Sequence, residues 1–273
     1  MRSPRRLLLV ALVALLAGAA GRPMAEESSP PHDFTAEALR RTYESVGWSG
    51  RQFLALSRKG DGQAIEVIGD LATARTVIVY VPGAGHGLSS FDTSAESPGQ
   101  AARALYGAAA ALGPGTAVVG WLGYDPPDMI NPEIITVWPA ERGARRLRSF
   151  VAALPKGVRI SLVCHSYGSV VCGRAVRGLP VSELIVTGSP GLGVRTAGEL
   201  GTSARVWAGL GSRDDVLRVG VLIGPFGFGT DPVRPEFGGR VFDGGEARHG
   251  TYLREGSPTL RRIARIAVTG AAA

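Results

Sequence analysis

Histidine, cysteine and methionine are scarce in this chain of 273 residues, at four, two and three copies. The histidines, His32, His86, His165 and His249, are scattered and form no H-x-H or H-E-x-x-H pattern, so no metal site is expected. Charge is also sparse, at 19% of residues. Lys and Arg (30) outnumber Asp and Glu (23), for a net charge of +7. The arginines are dispersed, without a basic run or an aromatic-basic stripe, which argues against a nucleic-acid partner. The glycine string Gly83-Ala84-Gly85 lacks the third glycine of a dinucleotide loop, and no Walker lysine follows, so no cofactor is expected. Long apolar runs are missing too. The longest, Leu7–Ala20, is 14 residues, against about 20 for a membrane-spanning helix. No internal repeat or dividing linker appears.

The short apolar run has a different reading. Arg2, Arg5 and Arg6 precede an apolar stretch, Leu7–Ala17, and Ala17-Gly18-Ala19 offers a small-x-small cleavage site. This is the layout of a secretory signal peptide over residues 1–19. No cysteine follows it directly, which argues against a lipoprotein anchor. Residues 20–33, rich in Pro, Ser and Glu, are expected to be a flexible mature N-terminus, and 34–273 a single domain. The expected location is extracellular or associated with the cell envelope. Without the leader the net charge falls to +4. In a secreted protein Cys164 and Cys172 must be considered as a disulfide. The predicted elements put Cys164 at a strand end and Cys172 two turns into the next helix. That spacing predicts two separate buried thiols.

The remainder alternates between short apolar runs and helical patterns. Residues 35–46 read as a helix. Gln52–Leu56 and Ala64–Gly69 read as strands joined by a turn, and Thr76–Val81 as a central strand apolar on both faces. Further strands are expected at Ala117–Leu122, from Val158 to the serine described next, and at Leu184–Thr187, Ala204–Gly209 and Arg240–Phe242. Helices fit Glu96–Leu112, Glu141–Leu154, a segment ending near Arg177, and Pro258–Ala267. Arg145, Arg146 and Arg148 fall on the solvated side of the second. Val219–Gly239 is a glycine-proline loop too long for a mere connector. The pattern specifies an α/β fold: a doubly wound, mostly parallel sheet flanked by helices.

One corner of that pattern carries chemistry. Val158–Gly168 is an apolar strand that stops at Ser166 and continues as a small-residue helix. This is the geometry of a nucleophile elbow, usually written G-x-S-x-G. Here it reads Cys164-His165-Ser166-Tyr167-Gly168, with cysteine in place of the first glycine. A serine hydroxyl needs a general base, an orienting acid and oxyanion donors. His249 is the one histidine after Ser166, between the last strand and the last helix, where the base belongs. Asp214 and Asp215 both follow the penultimate strand; Asp214 is the preferred acid, and Glu246 a weaker contender. The Tyr167 N–H, with that of Ala84 or Gly83 in the loop after Thr76–Val81, would form the oxyanion hole. His86 is either a pocket wall or a solvated loop residue. His165 is expected to point away from the base and pack.

Several segments together resemble a known family. They are Val81-Pro82-Gly83 with Phe91-Asp92, Trp121-Leu122-Gly123-Tyr124-Asp125, His165-Ser166-Tyr167-Gly168-Ser169, Gly188-Ser189-Pro190-Gly191, and Phe237–Phe242 leading to His249. Over roughly residues 65 to 255 the chain is similar to actinobacterial α/β hydrolases formerly catalogued as a domain of unknown function. The resemblance implies the α/β-hydrolase fold, a Ser-Asp-His triad and hydrolysis of esters or lipids, and family members typically have glycine where this chain has Cys164. The expectation is therefore a secreted, monomeric serine esterase, acting on a small-molecule or lipid ester with transient contact to a membrane or cell-wall surface. A non-catalytic hydrolase-fold protein binding lipid or cell wall is the alternative, as is acyl transfer or amide hydrolysis by the same triad.

Overall fold

Thr76–Val81 (β3) is buried at all six positions because the chain covers both sides of it. Val77, Val79 and Val81 face one apolar cluster, while Ile78 and Tyr80 face another. The two-residue period of a strand thus divides one sequence run between two cores.

The computed structural model describes residues 50–130, 132–215 and 227–272. The leader at 1–19, the segment 20–33 and the helix expected at 35–46 lie outside the described residues, as do 219–226 of the glycine-proline loop. Eight strands form one sheet: β1 (Gln52–Ser57), β2 (Gln63–Ile68), β3, β4 (Thr116–Leu122), β5 (Arg159–His165), β6 (Glu183–Thr187), β7 (Arg205–Leu210) and β8 (Arg240–Asp243). Their spatial order is β1-β2-β4-β3-β5-β6-β7-β8. From β4 through β8 all neighbours are parallel; the β1–β2 hairpin is antiparallel and joins β4 antiparallel.

Helices α1 (Pro98–Ala110) and α4 (Pro258–Thr269) cover one face of the sheet, and α2 (Trp138–Ala153) and α3 (Gly168–Ala175) the other. Each expected strand is present, with ends displaced by no more than a residue. Helix ends moved further. α2 begins at Trp138 rather than Glu141, because Pro139 is tolerated in a first helical turn, where its missing N–H costs nothing. α1 begins at Pro98, which leaves Glu96 in the loop before it. On α2, Arg145 and Arg148 are exposed and Arg146 is half-buried.

Two ion clusters brace the sheet. Buried Glu183 gathers Arg159, Arg205 and the Trp207 Nε1–H at the start of β6. Arg51 and Arg103 join buried Glu66 and Asp92, clamping the hairpin to α1. Asp92 therefore serves structure. The loops leaving the C-terminal ends of β3, β5, β7 and β8 converge at one rim. That is where an open parallel sheet presents a site.

Candidate active site

Ser166 follows β5 directly, with φ of 52°. It is the one non-glycine residue at positive φ among those described. The side chain pays for that conformation with steric strain. The turn is held by Ser166 N–H donating to the Thr187 carbonyl (3.0 Å) and Ser169 N–H donating to the Ser166 carbonyl (2.9 Å). Gly168 then passes under the loop after β3: a Cβ there would stand 2.5 Å from the carbonyl oxygens of Val81 and Pro82. No side chain fits, which is the steric reason for glycine two residues after the serine.

On the other side of the serine the structure corrects the sequence reading. Cys164 and Cys172 are joined by a disulfide, with Cα atoms 6.6 Å apart. The chain reverses so sharply at Ser166 that α3 starts at Gly168 and runs back over β5. Cys172 is only four residues into the helix, little more than one turn, and returns above Cys164. The distance lies within disulfide range. Cysteine at 164 is therefore half of a covalent tie across the elbow.

His249 reaches Ser166 from the loop after β8. Its Nε2 lies 2.9 Å from Ser166 Oγ, and its Nδ1 lies 3.1 and 3.2 Å from the two Asp214 carboxylate oxygens. The Asp214 side chain is fully buried and the His249 ring 40% exposed, so the acid end is dry and the serine end open. Asp215, the competing acid, is exposed, and Glu246 pairs with Arg213 on the surface. Carboxylates only accept, so Nδ1 carries the proton donated to Asp214, leaving Nε2 to accept from the Ser166 hydroxyl.

The loop after β3 lies against the serine. A Cβ on Gly83 would meet Ser166 Cβ at 2.7 Å. Gly85 N–H donates to the Pro127 carbonyl (3.0 Å). Among the described residues, the N–H groups of Ala84 and Tyr167 enter no backbone hydrogen bond outside helices and strands. The Tyr124 hydroxyl donates to the Pro82 carbonyl (2.8 Å), bracing this loop from β4. The Tyr167 side chain faces away from the serine. Its hydroxyl donates to the Thr136 carbonyl (2.7 Å) and receives Ala140 N–H (3.2 Å), tying the elbow to the start of α2.

His165 departs from its expected orientation. Its ring packs against His249, centroids 4.7 Å apart, and its Nε2 lies 2.7 Å from the His249 carbonyl. Burial drives its imidazole down to about 3, and the His249 charge acts in the same sense. His86 is partly buried, not solvated; its Nδ1 has no partner among the described residues, and burial lowers it to about 4.

Sequence reasoning missed two supports. The Tyr252 hydroxyl donates to Asp214 Oδ2. Gly188 ends β6 at φ 52°, where a Cβ would stand 2.8 Å from Asp214 Oδ2 and 2.9 Å from His249 Nδ1. Gly188 at least had a signal, a glycine at the end of a central strand. Among the described residues no group of three or more His, Cys, Asp or Glu side chains could hold a metal ion, and no helix is long and apolar enough to cross a membrane.

Such a sheet, with a serine on a strained turn after a central strand, defines an α/β hydrolase. The model of an alpha/beta hydrolase family matches residues 58–223, more than half of the chain, and the chain belongs to that family. The matched span contains Ser166 and Asp214 and ends before His249. Over 248 residues the chain is 30% identical to an uncharacterized protein of Mycobacterium tuberculosis strain H37Rv, an alignment covering 76% of this chain and 37% of the relative. The chain thus spans little more than a third of that relative's length. An uncharacterized protein of Mycobacterium bovis is 33% identical over 118 residues, 41% of this chain and 44% of that protein. Among solved structures, esterase PE8 has a TM-score of 0.50 at 17% identity, covering 73% of this chain and 95% of that one, a likeness in fold.

Proposed function

We propose that this hydrolase is an exported serine esterase that cleaves carboxylic esters of an acyl or lipid kind through an acyl-enzyme. The observation that carries the reading is the continuous hydrogen-bond chain from Ser166 Oγ through His249 to buried Asp214. Ser166 Oγ attacks the acyl carbon while its proton passes to His249 Nε2. Asp214 orients the ring and stabilises the imidazolium. The developing oxyanion is held by the N–H groups of Tyr167 and Ala84, with Gly83 allowing the close approach. One such donor is worth on the order of 100-fold or more in rate. The imidazolium then protonates the leaving alkoxide. Water, deprotonated by His249, attacks the acyl-serine, releasing the acid and restoring Ser166.

The rim supports an apolar acyl group. Met129 (67% exposed), Ile130 (96% exposed), Ile135 and Trp138 line the segment beside the oxyanion loop, and Met129 lies close to Gly85. Such a cluster suits transient contact with a lipid or cell-wall surface. Ser166, Asp214 and His249 meet within one chain, so the proposed reaction needs no residue from a second copy. Export is supported by the leader pattern and by the disulfide, since disulfides persist in oxidising compartments.

The test is labelling with a fluorophosphonate probe read by intact mass, alongside turnover of p-nitrophenyl esters of graded chain length. Wild type should gain one adduct and turn over the esters, and Ser166→Ala should do neither. Labelling without ester turnover would point to acyl transfer or amide hydrolysis. Absence of labelling would remove Ser166 as nucleophile.

A further inference from the structure

Three buried or half-buried groups stand behind the triad without a part in the reaction above: His86, His165 and Glu96. Two of them form one arrangement. Glu96 is buried in the loop before α1. Its Oε1 accepts the Leu253 N–H (2.8 Å), and its Oε2 lies 3.2 Å from the Tyr80 hydroxyl and 4.0 Å from His165 Nδ1. His165 holds the other end of the same segment. A carbonyl only accepts, so His165 Nε2 carries the proton donated to the His249 carbonyl. Its Nδ1 is then a lone pair, with no hydrogen-bond partner among the described residues. The stretch from His249 to Leu253 is thus gripped at its first residue by His165 and at its last by Glu96.

No arginine or lysine pairs with Glu96 in the described structure, unlike Glu66 and Glu183, each of which has two arginines. The groups facing it are Tyr80 from β3, His165 from β5, and His249 and Tyr252 from the segment it holds; His86 and Asp214 act on His165 as well. A second carboxyl therefore stands within electrostatic reach of the ring that becomes cationic during catalysis.

We propose that Glu96 and His165 are positioning residues for the base. They fix the His249–Leu253 segment against the end of β5 and place a second negative charge behind the His249 imidazolium. The positioning role rests on the serine-esterase reading; the effect of the charge on His249 does not. Burial pushes the Glu96 carboxyl up to about 7, against the pull of the Leu253 N–H, the Tyr80 hydroxyl and His249. The second charge accordingly appears as pH rises through neutrality.

The first measurement needs no activity. In carbon-13 NMR of the carboxyl groups, Glu96 should titrate near 7, well above its ordinary 4.5. A Glu96 carboxyl that titrates in the ordinary range overturns the electrostatic part. The second is kcat against pH on p-nitrophenyl butyrate. Gln keeps the shape and the acceptor for Leu253 but cannot ionise. At pH 8.5 the variant should be slower by about ten-fold, the equivalent of one pKa unit of lost charge stabilisation. At pH 5.5 the two should converge, with KM similar throughout. A merely structural glutamate gives a ratio that is flat across pH, and that result sinks the proposal while leaving the Ser166 adduct intact.

Should Glu96→Gln fail to fold, Tyr80→Phe replaces it. Loss of the hydroxyl donor should move the wild-type inflection to higher pH, and an unmoved inflection counts against the proposal. For the other grip, His165→Ala should cut kcat about ten-fold, the worth of one lost hydrogen bond. His165→Gln, whose amide can still reach the His249 carbonyl, should restore most of it. Equal kcat in the two variants overturns the role of His165. A wild type that takes no fluorophosphonate adduct defeats the esterase reading and, with it, this positioning role.

Discussion

The Tyr252 hydroxyl donates to Asp214 Oδ2 at 2.6 Å while accepting the Gly211 N–H at 2.9 Å. It therefore links Asp214 to the strand end that carries it. Burial drives the phenol well above its ordinary pKa, and the adjoining carboxylate adds to this, so it remains a donor at any working pH. Tyr252→Phe should lower kcat/KM by about ten-fold, since a hydrogen bond to a charged group contributes about 1.5–3 kcal/mol and solvent or Gly211 recovers part of it. Steady-state kinetics on a p-nitrophenyl ester would check this; wild-type kinetics in the variant would mean that the hydroxyl only fills space.

Asp214 and Asp215 are neighbours with opposite fates, one buried against His249 and one exposed. Asp214→Asn should cost on the order of 1,000-fold or more in kcat, because an amide can donate to Nδ1 and stabilise the wrong tautomer. Asp215→Asn should stay within about three-fold, as exposed substitutions usually do. Comparison of initial rates at pH 8 decides the matter, and the reverse ranking would transfer the acid role to Asp215.

The tie between Cys164 and Cys172 spans a sequence separation of 8. Loop-closure entropy for a ring of that size amounts to about 2.5 kcal/mol. The double variant Cys164→Ala/Cys172→Ala should melt roughly 5–10 °C lower. It should also lose activity at temperatures where the fold persists, since the tie spans the turn that aims Ser166. Calorimetry and rates at 25 °C would test the two parts separately, and an unchanged melting temperature refutes the first.

Stability should peak near pH 6.5 with unequal flanks. His165 is held neutral down to about 3 and His86 to about 4. The unfolded chain takes up those protons near 6.5, so stability falls on acidification, by up to about 1.4 kcal/mol per pH unit for His165 and less for half-buried His86. Glu96 works the other way. Its folded value of about 7 lies above its ordinary 4.5, so its contribution is present at low pH and lost as pH rises through 7. Urea unfolding at pH 4, 5, 6.5 and 8 should therefore show Glu96→Gln losing stability more steeply than wild type between 6.5 and 4.5. Parallel curves would mean that Glu96 has its ordinary pKa.

The sheet was legible because each strand is a short apolar run closed by glycine, proline or a charge, and Val77–Val81 must be covered on both faces. That Ser166, Asp214 and His249 would come together was legible because chain order and strand ends leave few candidates. What lay hidden depends on distance through space. The backward run of α3 over β5 brings Cys172 over Cys164, and element lengths alone place them apart. His165 lies under His249 because two loops converge there, 84 residues apart in sequence. Glu96 reads as the first turn of a helix until Pro98 is seen to start it. Tyr252 is one tyrosine among six in the sequence, and only the fold carries its hydroxyl to the acid.

The bond between Asp214 and His249 passes over Gly188, in the volume a methyl group would fill. One missing carbon therefore keeps Asp214 and His249 in register, and a methyl group there would part them with every polar side chain still in place. Gly188→Ala should fold, retain Ser166, Asp214 and His249, and lose most of its turnover, as rates beside a circular dichroism spectrum would reveal. Among relatives of this chain, activity is then better judged by whether position 188 stays empty than by a roll of serine, aspartate and histidine.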